Sequence, residues 1–227
     1  MKKFLAFPLA IVMVFALCAC GKAKGMTHDE YIPADLDSEV TIDTYVQAHQ
    51  SWWEDQVTVY AQSKDGGYFL YNMACSEADA AKLVPGQEII VKGYKSEWSG
   101  EVEIIEATFE FGKGNYIAPV TDLSASFSNA DELLKHQNEF VAFKGLTVDA
   151  DATYSWDGSG SQGDDVYFTV SKDGVSYSFT VESYLCDAST DCYKAAEVLK
   201  AGDTVDLEGF MYWYEGPQMH VTSVTVK

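Results

Sequence analysis

The residues in this sequence whose types and spacing best suit chemistry are its tryptophans. The five are Trp52, Trp53, Trp98, Trp156 and Trp213, and each has a carboxylate close by in the chain, at Glu54, Glu97, Asp157 and Glu215. A flat apolar ring stacks on a sugar face or another planar ligand, and a neighbouring carboxylate accepts hydrogen bonds from hydroxyls while repelling phosphates. Tyr214, beside Trp213, adds a further ring. These rings fall in polar, Gly-rich stretches that read as loops, which run over protein surfaces. Two other roles suit the same rings: closing a barrel end or joining two domains, and presenting a surface to a protein partner.

The remaining reactive side chains are sparse. Cys186 and Cys192 stand six apart in the turn-rich stretch Cys186-Asp-Ala-Ser-Thr-Asp-Cys192. A disulfide there suits an oxidising compartment and would contribute about 2–2.5 kcal/mol in the chain-entropy treatment. Free thiols are the alternative. The spacing is not that of a C-x-x-C redox site, and no His or second Cys pair stands near enough in sequence to complete a zinc site. Cys75 reads as an inert buried thiol. The four histidines, His28, His49, His136 and His220, belong to no nucleophile, zinc, P-loop or dinucleotide motif. No catalytic residue, cofactor or metal ligand is therefore assigned, and the chain is expected not to be an enzyme. The acidic runs Asp149–Asp151 and Asp157–Asp165 miss the EF-hand pattern, because positions six and twelve from Asp149 are Tyr154 and Gly160. A solvated acidic loop is the default reading there, with a loose calcium site as the alternative.

Charge narrows the partner classes. The chain has 227 residues and a formal charge of −20, and all 15 of its cations are Lys. Nucleic-acid binders cluster cations to displace phosphate counterions, and Arg offers the best bidentate phosphate contact. A nucleic-acid partner is accordingly expected to be unlikely. A hydrophobic content of 47% is that of a folded protein rather than a disordered one.

The first residues read as an address. Two Lys precede an apolar run over Phe4–Leu17, which is too short for a membrane span and right for a signal peptide. The run ends in Leu17-Cys18-Ala19-Cys20-Gly21, which resembles the bacterial lipoprotein signal, with Cys18 where Ser or Ala is commoner. The resemblance implies cleavage after Ala19, a lipid on Cys20 and attachment to the outer face of the cell membrane. Residues 1–19 are then the signal and residues 20–37 a tether.

The elements that must position the aromatics come in two copies. Leu83, Gly86, Gly93 and Gly100 match Leu199, Gly202, Gly209 and Gly216 at an offset of 116, while Ile89, Val91 and Trp98 match Val205, Leu207 and Tyr214. Upstream, Tyr71–Cys75 matches Glu182–Cys186 at an offset of 111, which places an insertion around Cys186–Cys192. Each copy reads strand-strand-strand-helix-strand-strand. In the first, the strands are Val40–Ala48, Gln56–Gln62, Tyr68–Met73, Glu88–Lys95 and Val102–Phe109, and a short helix follows Ser76. In the second they are Phe140–Val148, Val166–Ser171, Ser176–Ser183, Thr204–Tyr212 and Met219–Val226, with a helix over Tyr193–Leu199. A further helix is predicted over Asn129–His136.

This order, with the motif Leu-x-x-Gly-x-x-Ile/Val-x-Val/Leu-x-Gly at Leu83–Phe109 and Leu199–Thr225, resembles the OB-fold domains of secreted bacterial proteins. The resemblance implies an all-β chain with short helices. It is made of two tandem OB-like five-stranded Greek-key barrels, at residues 38–117 and 129–227, joined by a linker over 118–128. A β-sandwich is the competing fold. OB-folds bind on the face of strands 2 and 3, between the loops that join strands 1–2 and 4–5. Trp52, Trp53, Trp98, Trp156, Trp213 and Tyr214 all map to such loops and are the expected ligand contacts. The leading expectation is a membrane-anchored, exported, non-catalytic module that binds a glycan or small molecule. The alternatives are a structural or protein-interaction module of a cell-envelope complex, and oligonucleotide binding.

Overall fold

The computed structural model describes residues 25–227, so Cys18, Cys20 and the predicted signal lie outside the described residues. From Gly25 on, the chain is two closed five-stranded barrels, which excludes the sandwich.

The first barrel uses β1 (Glu39–His49), β2 (Gln56–Gln62), β3 (Gly67–Ala74), β4 (Gln87–Trp98) and β5 (Glu101–Asn115), preceded by α1 (His28–Tyr31). Its strand order is β1-β2-β3-β5-β4, with β4 returning to β1. Only the β3–β5 pair is parallel. Between β3 and β4 lies α2 (Glu77–Ala80), capped by the Ser76 side chain, which accepts from Asp79 N–H. Alternation puts Ile42 and Val46 of β1, Val57 and Val59 of β2, and Ile89 and Val91 of β4 inside, where all are essentially inaccessible.

The linking residues are folded too. β6 (Thr121–Asp122) pairs in parallel with β7 (Phe140–Val148), and α3 (Ala130–Leu134) starts at its Asn129 cap. Leu123 and Phe127 are buried in the second core. The stretch read as a linker is therefore packed against the barrel it enters.

The second barrel continues with β8 (Thr153–Tyr154), β9 (Val166–Lys172), β10 (Val175–Val181), α4 (Asp191–Ala196), β11 (Thr204–Phe210) and β12 (His220–Val226). Its five main strands run β7-β11-β12-β10-β9, and a β7–β9 pairing closes them. Its parallel pair is β10–β12. Replacing each strand by its counterpart in the first barrel gives the same circuit, with the helix in the same slot. The matched glycines explain part of this identity. Gly86 and Gly202 follow the helices at φ values of +89° and +93°, which favour Gly. Gly93 and Gly209 sit at register shifts against the last strand, where a Cβ would lie 2.8 Å from Ile105 O and 2.2 Å from His220 O.

The segment read as a tether is docked from residue 25 on. Met26 bridges to Ile42, Thr27 and Glu30 form a reciprocal capping box, and Tyr31 is 1% exposed in the first core. Lys95 Nζ donates to the carbonyls of Ile32 and Ala34, at 2.5 and 2.9 Å, and fastens the far end of the segment to β4.

The two barrels share a third apolar cluster of Tyr60, Phe69 and Phe210, with Phe140 and Tyr212 packed on it. Tyr60 and Phe210 stack with centroids 4.6 Å apart. Polar groups seal the edges of this interface. Gln62 Oε1 accepts from Phe140 N–H at 2.8 Å, Asn138 Nδ2 donates to Val102 O at 3.0 Å, and Glu215 N–H donates to Ser99 O at 2.8 Å.

A candidate aromatic groove between the barrels

A groove of about 680 Å³ lies on the β2–β3 face of the first barrel, with the second barrel forming its other wall. Trp53, Tyr71 and Trp98 come from the first barrel, and Tyr184, Tyr212 and His220 from the second.

Tight turns present the two tryptophans. Trp53 and Gln56 exchange both backbone hydrogen bonds at 3.0 Å, with Glu54 and Asp55 between them at φ +47° and +62°. Trp98 ends β4 just before Ser99 and Gly100, at φ +51° and +93°. Positive φ at both central residues is the geometry of a type I′ hairpin, whose twist matches the strands it joins. The rings stand out by 62% and 61% of their surface. Phe69 and Tyr71 share one face of β3, with rings 6.3 Å apart and inclined by 29°. Asn72, at φ +47°, is held there by Thr58, whose Oγ1 accepts from Asn72 N–H and donates to Asn72 Oδ1.

The floor is polar but nearly dry. Tyr60 and His220 Nδ1 are 2.7 Å apart, and His220 Nε2 stands 3.5 Å from Glu182 Oε1. Gln50 Nε2 donates to the Tyr60 hydroxyl at 3.3 Å. Burial pushes His220 down to about 3, so the ring is neutral. Burial, with a further push from Asp165, raises Glu182 to about 8. Glu103, 8% exposed, lines the same groove and is raised by burial. At the junction behind it, Glu101 Oε2 accepts from Trp213 N–H at 2.9 Å and from Gln137 Nε2 at 3.2 Å. Burial holds the Glu101 carboxyl well above the usual range.

The tryptophans assigned to ligand loops separate into three groups. Trp53 and Trp98 meet in the groove. Trp52 packs on the first core, with Nε1 donating to Cys75 O at 2.8 Å, and Trp213 packs on the second core beside Gly100. Trp156 is 80% exposed beside a separate acidic hollow with Asp164 and Asp165, which meets the groove at Tyr184. Tyr214 is 48% exposed next to Trp213, outside the groove. The loop pattern had not singled out Phe69, Tyr71, Glu103, Glu182, Tyr184, Tyr212 or His220. Phe69 and Tyr71 carried a readable signal, since two large rings at i and i+2 on one strand lie on one face.

The cysteines expected to pair in a disulfide are thiols in this structure. Cys186 and Cys192 are free and buried, facing each other closely enough to hydrogen bond, and Cys192 Sγ–H also points to Val221 O at 3.6 Å. Cys75 is also free and buried, and burial pushes its thiol up to about 11. Among the described residues no group of three or more His, Cys, Asp or Glu is placed to hold a metal ion. Asp149 instead accepts from the hydroxyls of Ser171 and Ser176, and Asp151 pairs with Lys200.

No protein-family model matches the chain, and no curated protein matches it. Solved structures do. A p204 HINb domain matches at a TM-score of 0.39 and 14% identity, over 86% of this chain and all of that one. An Ifi202 HINa domain in complex with a 20-bp double-stranded DNA matches at a TM-score of 0.39 and 11% identity, over 84% of this chain and 98% of that one. A murine DNA-binding protein bound to double-stranded DNA matches at a TM-score of 0.35 and 12% identity, over 82% and 94%. At these TM-scores and identities the likeness carries no argument about what this chain binds. The pair of barrels had been read as a glycan or small-molecule binder for which nucleic acid was an unlikely partner. Nothing in the comparisons supports that reading, and two of these neighbours are themselves solved on double-stranded DNA.

Proposed function

We propose that this chain is a non-catalytic interaction module that seats an extended segment of a partner protein in the groove between its barrels. The observation that carries this reading is the groove itself. Trp53 and Trp98 stand more than half exposed on rigid hairpin turns, over a floor that joins both barrels. Aromatic anchors in a preformed cleft are what a partner segment needs to bind without ordering its receptor first. We further propose that the module is exported and held at the outer face of the cell membrane by a lipid on Cys20, on the strength of the Leu17–Gly21 pattern. A second reading, single-stranded nucleic acid, rests on one observation: Tyr71, 47% exposed, lies on the β2–β3 face, where OB-folds stack bases.

One experiment separates the two. A photocrosslinking residue replaces Tyr71 in the full chain, expressed in the cells that make it, and the same residue replaces Tyr94, exposed on β4 outside the groove, as the control. The reading expects a discrete adduct from position 71 that protease destroys and nuclease leaves intact. A nuclease-sensitive adduct would transfer the function to nucleic acid. Adducts equal at both positions, or none, would refute a groove-borne function.

A further inference from the structure

Within that reading, which this inference rests on, the groove has a chemical preference of its own. Trp53, Trp98, Tyr71 and Tyr212 offer aromatic faces, and the carboxyls of Glu103 and Glu182 lie among them. No Lys lines the groove. Lys95, the nearest cation along β4, is turned away to the carbonyls of Ile32 and Ala34.

Glu103 is the distinctive group. The residue as a whole is 8% exposed, but its carboxyl oxygens are not sealed off: they open onto the groove, where no side chain among the described residues pairs with them. Buried carboxylates are ordinarily paired, because desolvation without compensation is costly. Here the place of the missing partner is the open groove. An incoming cation would meet aromatic faces that attract positive charge, and a carboxylate with its lone pairs unused. The field of the whole chain acts in the same direction, since a formal charge of −20 draws cations toward its clefts.

We infer that the groove is a receptor for a basic side chain, the ammonium of a Lys carried on an extended segment of the partner protein, seated between Trp53 and Trp98 and paired with Glu103. The aromatic walls take the apolar stem of that side chain, and the carboxylate takes its head. Neutral or acidic segments leave Glu103 unpaired and are discriminated against on that ground.

The test is a titration of the full chain in mild detergent, followed by intrinsic Trp fluorescence and calorimetry. The probe is the peptide (Gly-Lys)4, compared with its Nε-acetylated twin, with (Gly-Glu)4 and with an oligothymidylate. The inference expects saturable binding of (Gly-Lys)4 only, weakened about tenfold by Glu103→Gln. Glu77→Gln, the same loss of charge on the exposed start of α2, should change the affinity less than twofold. Equal losses in the two variants would reduce the effect to the general field and overturn the inference. Equal binding of the acetylated peptide, abolished by Trp53→Ala with Trp98→Ala, would overturn the basic preference while leaving the partner-segment reading standing. A response to oligothymidylate and to no peptide would overturn both.

Discussion

Replacing Glu182 by Gln should reverse a pH-dependent weakness at the junction of the barrels. Glu182 ionises near 4.5 when free and at about 8 in the fold. The folded state therefore holds this proton more tightly than the unfolded chain does. The stability this lends is complete below about 4.5, and it is lost as pH rises toward 8. Each pH unit in that window is worth about 1.4 kcal/mol, and the whole loss comes to roughly 5 kcal/mol, a large part of an ordinary domain's stability. Gln is close to isosteric and never ionises. The wild-type deficit relative to Glu182→Gln should thus grow by about 2–3 kcal/mol between pH 5 and pH 7. Glu103 and Glu101 also titrate high, but they are common to both chains and cancel in the difference. His220, held near 3, is neutral throughout. Urea unfolding at pH 5, 6, 7 and 8, read by Trp fluorescence, supplies the numbers. A difference between the two chains that stays flat within about 0.5 kcal/mol over that range would refute the burial argument.

The other tryptophans give a contrast. Trp52→Ala should cost about 3–4 kcal/mol in the same unfolding assay, because it empties a packed site and strands the Cys75 carbonyl. Trp156→Ala, at a ring 80% exposed, should change stability by less than about 0.5 kcal/mol. In protein recovered from an oxidising compartment, Cys186 and Cys192 should be oxidised to a disulfide, leaving Cys75 as the single alkylatable thiol among the described residues on denaturation. Recovery of three such thiols would place the chain in a reducing compartment. Cys20→Ser should release the protein from the membrane fraction and abolish its labelling by radioactive fatty acid. Retention with labelling intact would move the anchor elsewhere.

Legibility in the sequence followed the range of the interactions. The barrels were readable because their strands alternate locally, as in Gln56–Gln62. Matched glycines also mark backbone demands that recur in each copy: Gly93 and Gly209 sit where the last strand passes too close for a Cβ. Helix starts were readable within about two residues because a capping side chain is a local device. The predicted start at Tyr193 came late because Thr190, not a residue nearer the apolar run, makes the cap. The groove was only half readable. Loop position identified Trp53 and Trp98, but it equally identified Trp52 and Trp213, whose burial depends on neighbours far along the chain. Glu182 and His220 gain their character from burial between the two barrels, with Asp165 adding to the first and Tyr60 contacting the second, none of which a local pattern announces. The segment before β1 was misjudged for a similar reason. Its polar composition suits a tether, and its docking rests on partners distant in the chain: Ile42 beside Met26, the first core around Tyr31, and Lys95 on the carbonyls of Ile32 and Ala34.

That docked segment sets a working height. With Cys20 in the bilayer as proposed, only residues 21–24 separate the lipid from Gly25, which already lies against Ile42 and Asp43. Five Cα steps reach at most about 18 Å. Such an anchor would keep the first barrel on a short leash. Ile42 is near one end of β1 and the groove begins at Gln50, just past the other, roughly 26 Å along the strand at about 3.3 Å per residue. With that anchor, a partner would have to come within a few nanometres of the lipid surface to be caught, so the proposed module would work at close range, on what is already at the membrane.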